Sequence, residues 1–403
     1  MFSPLKRLTP VAAGLAIVAA TQSSSLLAAD AARLQQVEQQ LASLQQQLAG
    51  PQAERLQFNG FFSTGYSRAT NDAGYAGNTE TSALAENTLL GLQGRYNLSR
   101  DTSLTLQMVA RGSDDWSTEM EWAYLSHRIT PSLQVRAGKL RLPLFMHSDA
   151  LEVGYAQTAL RPNREVYGVV PVNSYTGADL TYDHFLPYGS VSLQLFSGHS
   201  EDTTAIGGNP VDIEMRNVVG GVITWTDFTW TLRLNAATAD TSISGEAAQN
   251  AGFGDGSSRG NFYGLGVQYD DGLWQITSEM TRIEVDSAYS DTDSAYLTVA
   301  HRLGSWTPYI SAGWLKSQDD SDRQGVNLGS APNSIPAGTL NIERQSYSLG
   351  LRWDLLSNTA LTADWTHVNE LGDTLGGLSG NIDAGRQAFS NSNIYSLRLD
   401  SVF

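Results

Sequence analysis

The 403-residue chain contains no cysteine, only three lysines (Lys6, Lys139 and Lys316), and no apolar run approaching the ~20 residues that a transmembrane helix needs. Without cysteine there are no disulfides and no thiolate metal sites. Without a long apolar run a helical span is excluded, but a crossing made by strands is not, because alternating strands barely register in hydropathy. Charged residues make up 16% of the chain, below the ~25% usual for soluble domains. The net charge of −16 disfavours nucleic acid as a partner. The six histidines are scattered, with no H-E-x-x-H and no pair four residues apart, so neither a metal site nor a cofactor is implied.

What the sequence does contain begins with a basic pair, Lys6-Arg7, followed by a small apolar run from Val11 to Ala20 and then Leu27-Ala28-Ala29. The run is too short to span a bilayer, and the pattern predicts a secretory signal peptide over residues 1–29. Residues 30–50 are rich in Gln, with Leu34, Val37, Leu41, Leu44 and Leu48 three and four apart. That spacing predicts a short periplasmic coiled coil; a Gln-rich tether is the alternative. Gly50-Pro51 ends the segment.

From residue 54 to 403 the period is two. Leu90, Leu92, Tyr96 and Leu98 share one face of a segment, as do Leu104, Leu106, Met108 and Ala110, then Phe228, Trp230, Leu232 and Leu234, and later Tyr347, Leu349, Leu351 and Trp353. The opposite faces carry Thr, Gln, Asn, Gly and Arg. About sixteen such segments alternate with connections that are short, then long, as an up-and-down barrel with short periplasmic turns requires. The long connections are expected near residues 69–86, 139–172, 199–213, 240–260, 317–341 and 370–391.

Tyr96, Trp225, Trp230, Tyr269, Trp274, Trp306 and Trp353 lie beside the short turns; Tyr66, Tyr263, Tyr347 and Tyr395 lie toward the long loops. Two aromatic girdles around an apolar band favour a membrane barrel over a soluble sandwich. The expected fold is therefore an all-β transmembrane antiparallel barrel of about sixteen strands. Its last segment, NIYSLRLDSVF, closes against the first so that no edge is left in lipid.

With the aromatics outward, Arg95, Arg136, Arg233, Arg352 and Arg398 point into the lumen. Four of them (Arg95, Arg136, Arg352 and Arg398) would form a basic patch on one wall, or each would pair with an inward carboxylate such as Asp354 or Asp400. The connection from Lys139 to Val172 is too long and too apolar for an idle surface loop. Its spacing, R-A-G-K-L-R-L-P from Arg136, then V-G-Y-A from Val153, Arg161-Pro162 and Glu165-Val166-Tyr167, resembles trimeric porins of gammaproteobacteria, including the phosphate-selective porin O and P type. The resemblance implies that this loop folds into the lumen and narrows it, with Arg141, His147, Asp149, Glu152, Arg161, Arg164 and Glu165 as candidates to line the path. It also implies a homotrimer among outer-membrane lipids. The phosphate-selective relatives carry many lysines along the path; with three in this whole chain, phosphate specificity is not expected.

Gly256-Ser257-Ser258-Arg259-Gly260 matches the G-x-S-x-G nucleophile elbow, but it precedes a strand where the elbow needs a strand, a turn and a helix. The function expected from the sequence is passive diffusion of small polar or ionic solutes across the outer membrane of a Gram-negative bacterium, without catalysis. A barrel enzyme, or a plugged receptor or adhesin, is the alternative.

Overall fold

The computed structural model describes residues 55–403 apart from 82–83, 85–86, 171, 207–208, 246–255, 287–289, 326 and 329–334. The expected signal peptide and coiled coil lie outside the described residues. Strands β1 (Leu56–Ala69), β2 (Leu89–Asn97), β3 (Thr102–Arg111), β4 (Thr118–Thr130), β5 (Leu133–Arg141) and β6 (Ser174–Leu186) lead into β7 (Gly189–Ile206), β8 (Asn209–Thr226), β9 (Trp230–Ser244) and β10 (Ser258–Asp270). Then follow β11 (Trp274–Val285), β12 (Thr292–His301), β13 (Trp306–Ser317), a two-residue ladder of β14 (Asn327–Leu328) and β15 (Ile335–Pro336), and finally β16 (Glu343–Leu356), β17 (Thr359–Asn369) and β18 (Ser392–Val402). All but β14 and β15 join one closed barrel of sixteen strands in sequence order, with β18 antiparallel to β1.

Alternation decides which side chains face out. Leu90, Leu92, Leu104, Leu106, Leu232, Leu234, Leu349 and Leu351 are all exposed on the outer surface. So large an apolar surface left facing outward marks contact with lipid rather than water. The aromatics pair across strands in register: Trp230 opposes Tyr269 with ring centroids 4.7 Å apart, and Trp306 stacks on Trp353 at 4.8 Å. At the other end of the strands, Tyr66, Tyr263, Tyr347 and Tyr395 are likewise exposed.

Two of the short connections owe their shape to aspartates. Asp227 Oδ1 accepts from the N–H groups of Thr229 (3.0 Å) and Trp230 (2.6 Å), and Asp271 Oδ1 does the same for Leu273 (2.8 Å) and Trp274 (2.6 Å). Phe228, expected at the start of a strand, instead sits inside the turn with φ 73°. A side-chain acceptor that can close a turn locally competes with the ladder, and here it moves the strand start to Trp230.

At the seam, Gly60 N–H donates to Phe403 O at 2.7 Å and Phe403 N–H returns to Gly60 O at 2.9 Å. A Cβ on Gly60 would lie 2.4 Å from the Phe403 ring, so glycine makes room for the terminal aromatic. Among the described residues, one expected long loop is replaced by strand: 199–206 belong to β7 and 209–213 to β8, each strand 18 residues long. Strands of that length exceed the ~9–11 residues needed to span a bilayer, so this hairpin rises beyond it. Its pairing slips at Gly198/Ser200 and again at Arg216/Val219, where Asn217 has φ 51°.

Candidate functional site

The connection between β5 and β6 folds back against the inner wall of the barrel. Its first leg is apolar: Leu142, Leu144 and Phe145, with Val166, Tyr167, Val170 and Val172 from the returning leg, are buried against Phe196, Val222, Phe262 and Tyr296. Phe145 meets Tyr167 at 4.6 Å and Phe262 edge-on at 5.6 Å. This inner face departs from the expected polar lumen. Across β7 to β13 it carries large apolar groups, because the infolded loop needs a surface on which to bury its own.

One carboxylate fixes the loop to that wall. Glu279, buried on β11, accepts from the N–H of Met146 (2.8 Å), from the hydroxyl of Tyr296 (2.9 Å) and from the hydroxyl of Tyr167. Arg233 donates to Pro143 O at 2.7 Å, and Asn235 donates to Leu144 O. Arg233 is thus engaged with loop backbone. His147, whose N–H donates to the Tyr167 hydroxyl at 3.2 Å, is held below the usual histidine range by burial and by the charge of Arg233. Asp149 is exposed to the lumen and makes no ion pair among the described residues.

The middle of the loop crosses to the opposite side. Gly154 lies on the seam: a Cβ there would be 2.0 Å from Asp400 Oδ1 and 2.8 Å from Ser63 Oγ. Ser63 in turn donates to Asp400 at 2.6 Å, and Arg398 pairs with Asp400 at 2.9 Å. Arg352 pairs with Asp354 at 2.8 Å, donates to Tyr155 O at 2.8 Å and lies over the Tyr155 ring at 4.8 Å. The Tyr155 hydroxyl reaches Ser357 O, in a short turn, at 2.7 Å. Leu160 N–H donates to the Tyr309 hydroxyl, which donates to Asp364 at 2.7 Å.

The loop then turns into a four-residue helix, Arg164–Tyr167, whose first turn is capped by Asn163 Oδ1 accepting from Glu165 N–H. Glu165 is fully buried. It accepts from Arg344 Nε (3.2 Å), Ser346 Oγ (2.6 Å) and the Tyr75 hydroxyl (3.0 Å), and so ties the loop to β16 and to the connection after β1.

The remaining candidates separate into paired and open groups. Arg136 pairs with Asp179 and lies over the Tyr124 ring. Glu152 and Glu121 both pair with Arg111, and Arg141, buried, pairs with Glu121 at 3.2 Å. Arg161 touches Ser396 Oγ at 3.3 Å. Arg95 and Arg164 are exposed within the lumen, with no ion pair among the described residues. Arg352 and Arg398, two of the four arginines read as a possible patch, have their nearest carboxylates two residues along their own strands. Sequence reasoning missed Glu279, Tyr75, Arg344, Tyr309 and Asp364. The available signal was inward-parity acids: Glu279 flanked by Thr277 and Thr281 on β11, and Asp364 flanked by Thr362 and Thr366 on β17.

Among the described residues no group of His, Asp or Glu could hold a metal. Ser258 begins β10, so the G-x-S-x-G stretch runs into a strand and not into the helix an elbow needs.

No family model matches the sequence, and no curated protein matches it. Solved structures do match in fold. The chain is similar to Salmonella typhi OmpF, solved in complex with daunomycin (TM-score 0.58, 13% identity, covering 86% of this chain and 97% of that one). It is also similar to Pseudomonas putida OprB (0.55, 11%, 90% and 97%) and to the anion-selective porin from Comamonas acidovorans (0.54, 12%, 86% and 99%).

Proposed function

We propose that the protein is a porin of the Gram-negative outer membrane, a passive channel for small hydrophilic solutes and ions, narrowed by the loop between β5 and β6. The observation that carries this reading is the loop's position. A closed barrel with a lipid-facing apolar band encloses a segment whose contacts reach β9, β11, β13, β16 and β18. A segment that only roofed the barrel would not need anchors on so many strands. The fold likeness to solved outer-membrane porins supports the same reading.

The mechanism needs no catalyst. A solute exchanges bulk water for a polar lumen, and the charges it passes set the preference. Among the candidate residues, Asp149, Arg95 and Arg164 are exposed without an ion pair among the described residues, two cations against one anion, which tilts the path weakly toward anions. Paired arginines such as Arg136, Arg352 and Arg398 contribute less, because their carboxylates travel with them. Assembly as a homotrimer, suggested by the sequence resemblance, belongs to the same proposal.

Single-channel recording of the folded protein in a planar bilayer, under a salt gradient, tests this. Stepwise conductance in threes with a reversal potential of anionic sign is the expected result. A folded, heat-modifiable protein that never conducts overturns the channel and leaves a barrel plugged by its own loop.

A further inference from the structure

The loop covers only part of the apolar inner wall. Beside it, a cavity of about 470 Å³ remains, floored by Leu142 and Leu144 and walled by Ile213, Ile243, Phe262, Ile283 and Leu315 from β8 to β13. That is within the range of small-molecule sites, ~300–1,000 Å³. An apolar hollow of this size inside a water-filled lumen is a place where an apolar solute gains by leaving water.

Two guanidiniums border it, and they differ. Arg344 is buried and compensated by Glu165 at 3.2 Å, with a further bond to Gly376 O at 3.0 Å. The Arg164 side chain makes no hydrogen bond or ion pair among the described residues; only its carbonyl accepts, from Gly168 N–H at 3.0 Å. It is exposed and borders the open space of the cavity. It also lines a second space of about 30 Å³ with Arg161, Tyr309 and Asp364, and so stands where the cavity meets the middle of the loop. An uncompensated cation at the edge of an otherwise apolar hollow reads one negative charge on an apolar body.

We propose that this cavity is a binding site for amphipathic monoanions, aryl or alkyl monocarboxylates whose apolar part lies against Ile243 and Phe262 and whose carboxylate meets Arg164. This deepens the channel reading by naming a solute class, and rests on that reading for passage but not for binding.

The probes are 4-butylbenzoate, its neutral isostere 4-butylbenzamide, and acetate. Binding to the folded protein in detergent is measured by calorimetry against empty micelles, and block of the ion current is measured in bilayers. The expected result is saturable binding of 4-butylbenzoate, at least ten-fold tighter than 4-butylbenzamide and than acetate. Arg164→Gln should remove the advantage over the amide, while Ile243→Asn should weaken both aryl compounds. Equal binding of acid and amide, or an acid affinity unmoved by Arg164→Gln, overturns the charge reading; no binding above the micelle control overturns the site. Conductance with no binding leaves the porin standing without the pocket, and binding with no conductance does the reverse.

Discussion

The two sides of the lumen hold the same loop by different physics. Toward β7 to β13 the grip is apolar burial, Phe145 and Val166 against Phe262 and Tyr296, with the single carboxylate of Glu279 collecting the donors. Toward β16, β18 and β1 it is almost wholly polar: Glu165 among Arg344, Ser346 and Tyr75, and Arg352 on two loop carbonyls. Burial is tolerant of small shifts, whereas a fully buried carboxylate with one ion-pair partner is not. The polar side therefore sets the loop's position and the apolar side supplies its adhesion.

The sharpest way to break this contrast is Glu165→Ala. It leaves Arg344 buried without its anion, a loss of about 3–5 kcal/mol. The second half of the loop should come away, seen as protease cleavage between residues 142 and 173 and as larger, noisier single-channel currents. Glu279→Ala should cost less, about 1–3 kcal/mol, because its partners are tyrosine hydroxyls and one N–H and apolar packing remains. Cleavage should then be slow and mean conductance close to that of the parent; an effect as large as that of Glu165→Ala would refute the division of roles. The smallest effect is expected at His147. Its titration is pushed below 6.5 by burial and by Arg233, so it is neutral above that pH and carries no charge to lose. His147→Gln should leave the reversal potential unaltered from pH 8 to 6.5, measured in the same bilayer.

Much of this architecture is legible in the sequence, for identifiable reasons. A strand with lipid on one side and lumen on the other must alternate, so the parity of Leu349, Leu351 and Trp353 is enough to assign their face. The loop after β5 announces itself by combining length with apolar content. The hairpin of β7 and β8 reads as a loop at 199–213 because the stretch from Ser200 to Thr204 on β7 carries no large apolar residue and the period-two signal fades on that arm. The apolar inner wall is hidden for the opposite reason: around Val218 to Val222 both faces carry apolar or small residues, and parity then reports nothing. The anchor at Glu165 is beyond reach because its partners lie 90 to 181 residues away in sequence.

The seat of Gly154 is built from Ser63 on the first strand and Asp400 on the last. Those two residues are 337 apart in sequence and become neighbours only when β18 zips onto β1. During biogenesis the seat of Gly154 is incomplete until β18 has paired with β1. On the porin reading proposed above, the barrel would be closed wide and narrowed last, with the infolded loop acting as a latch that seats its Gly154 only on a barrel whose ends have met.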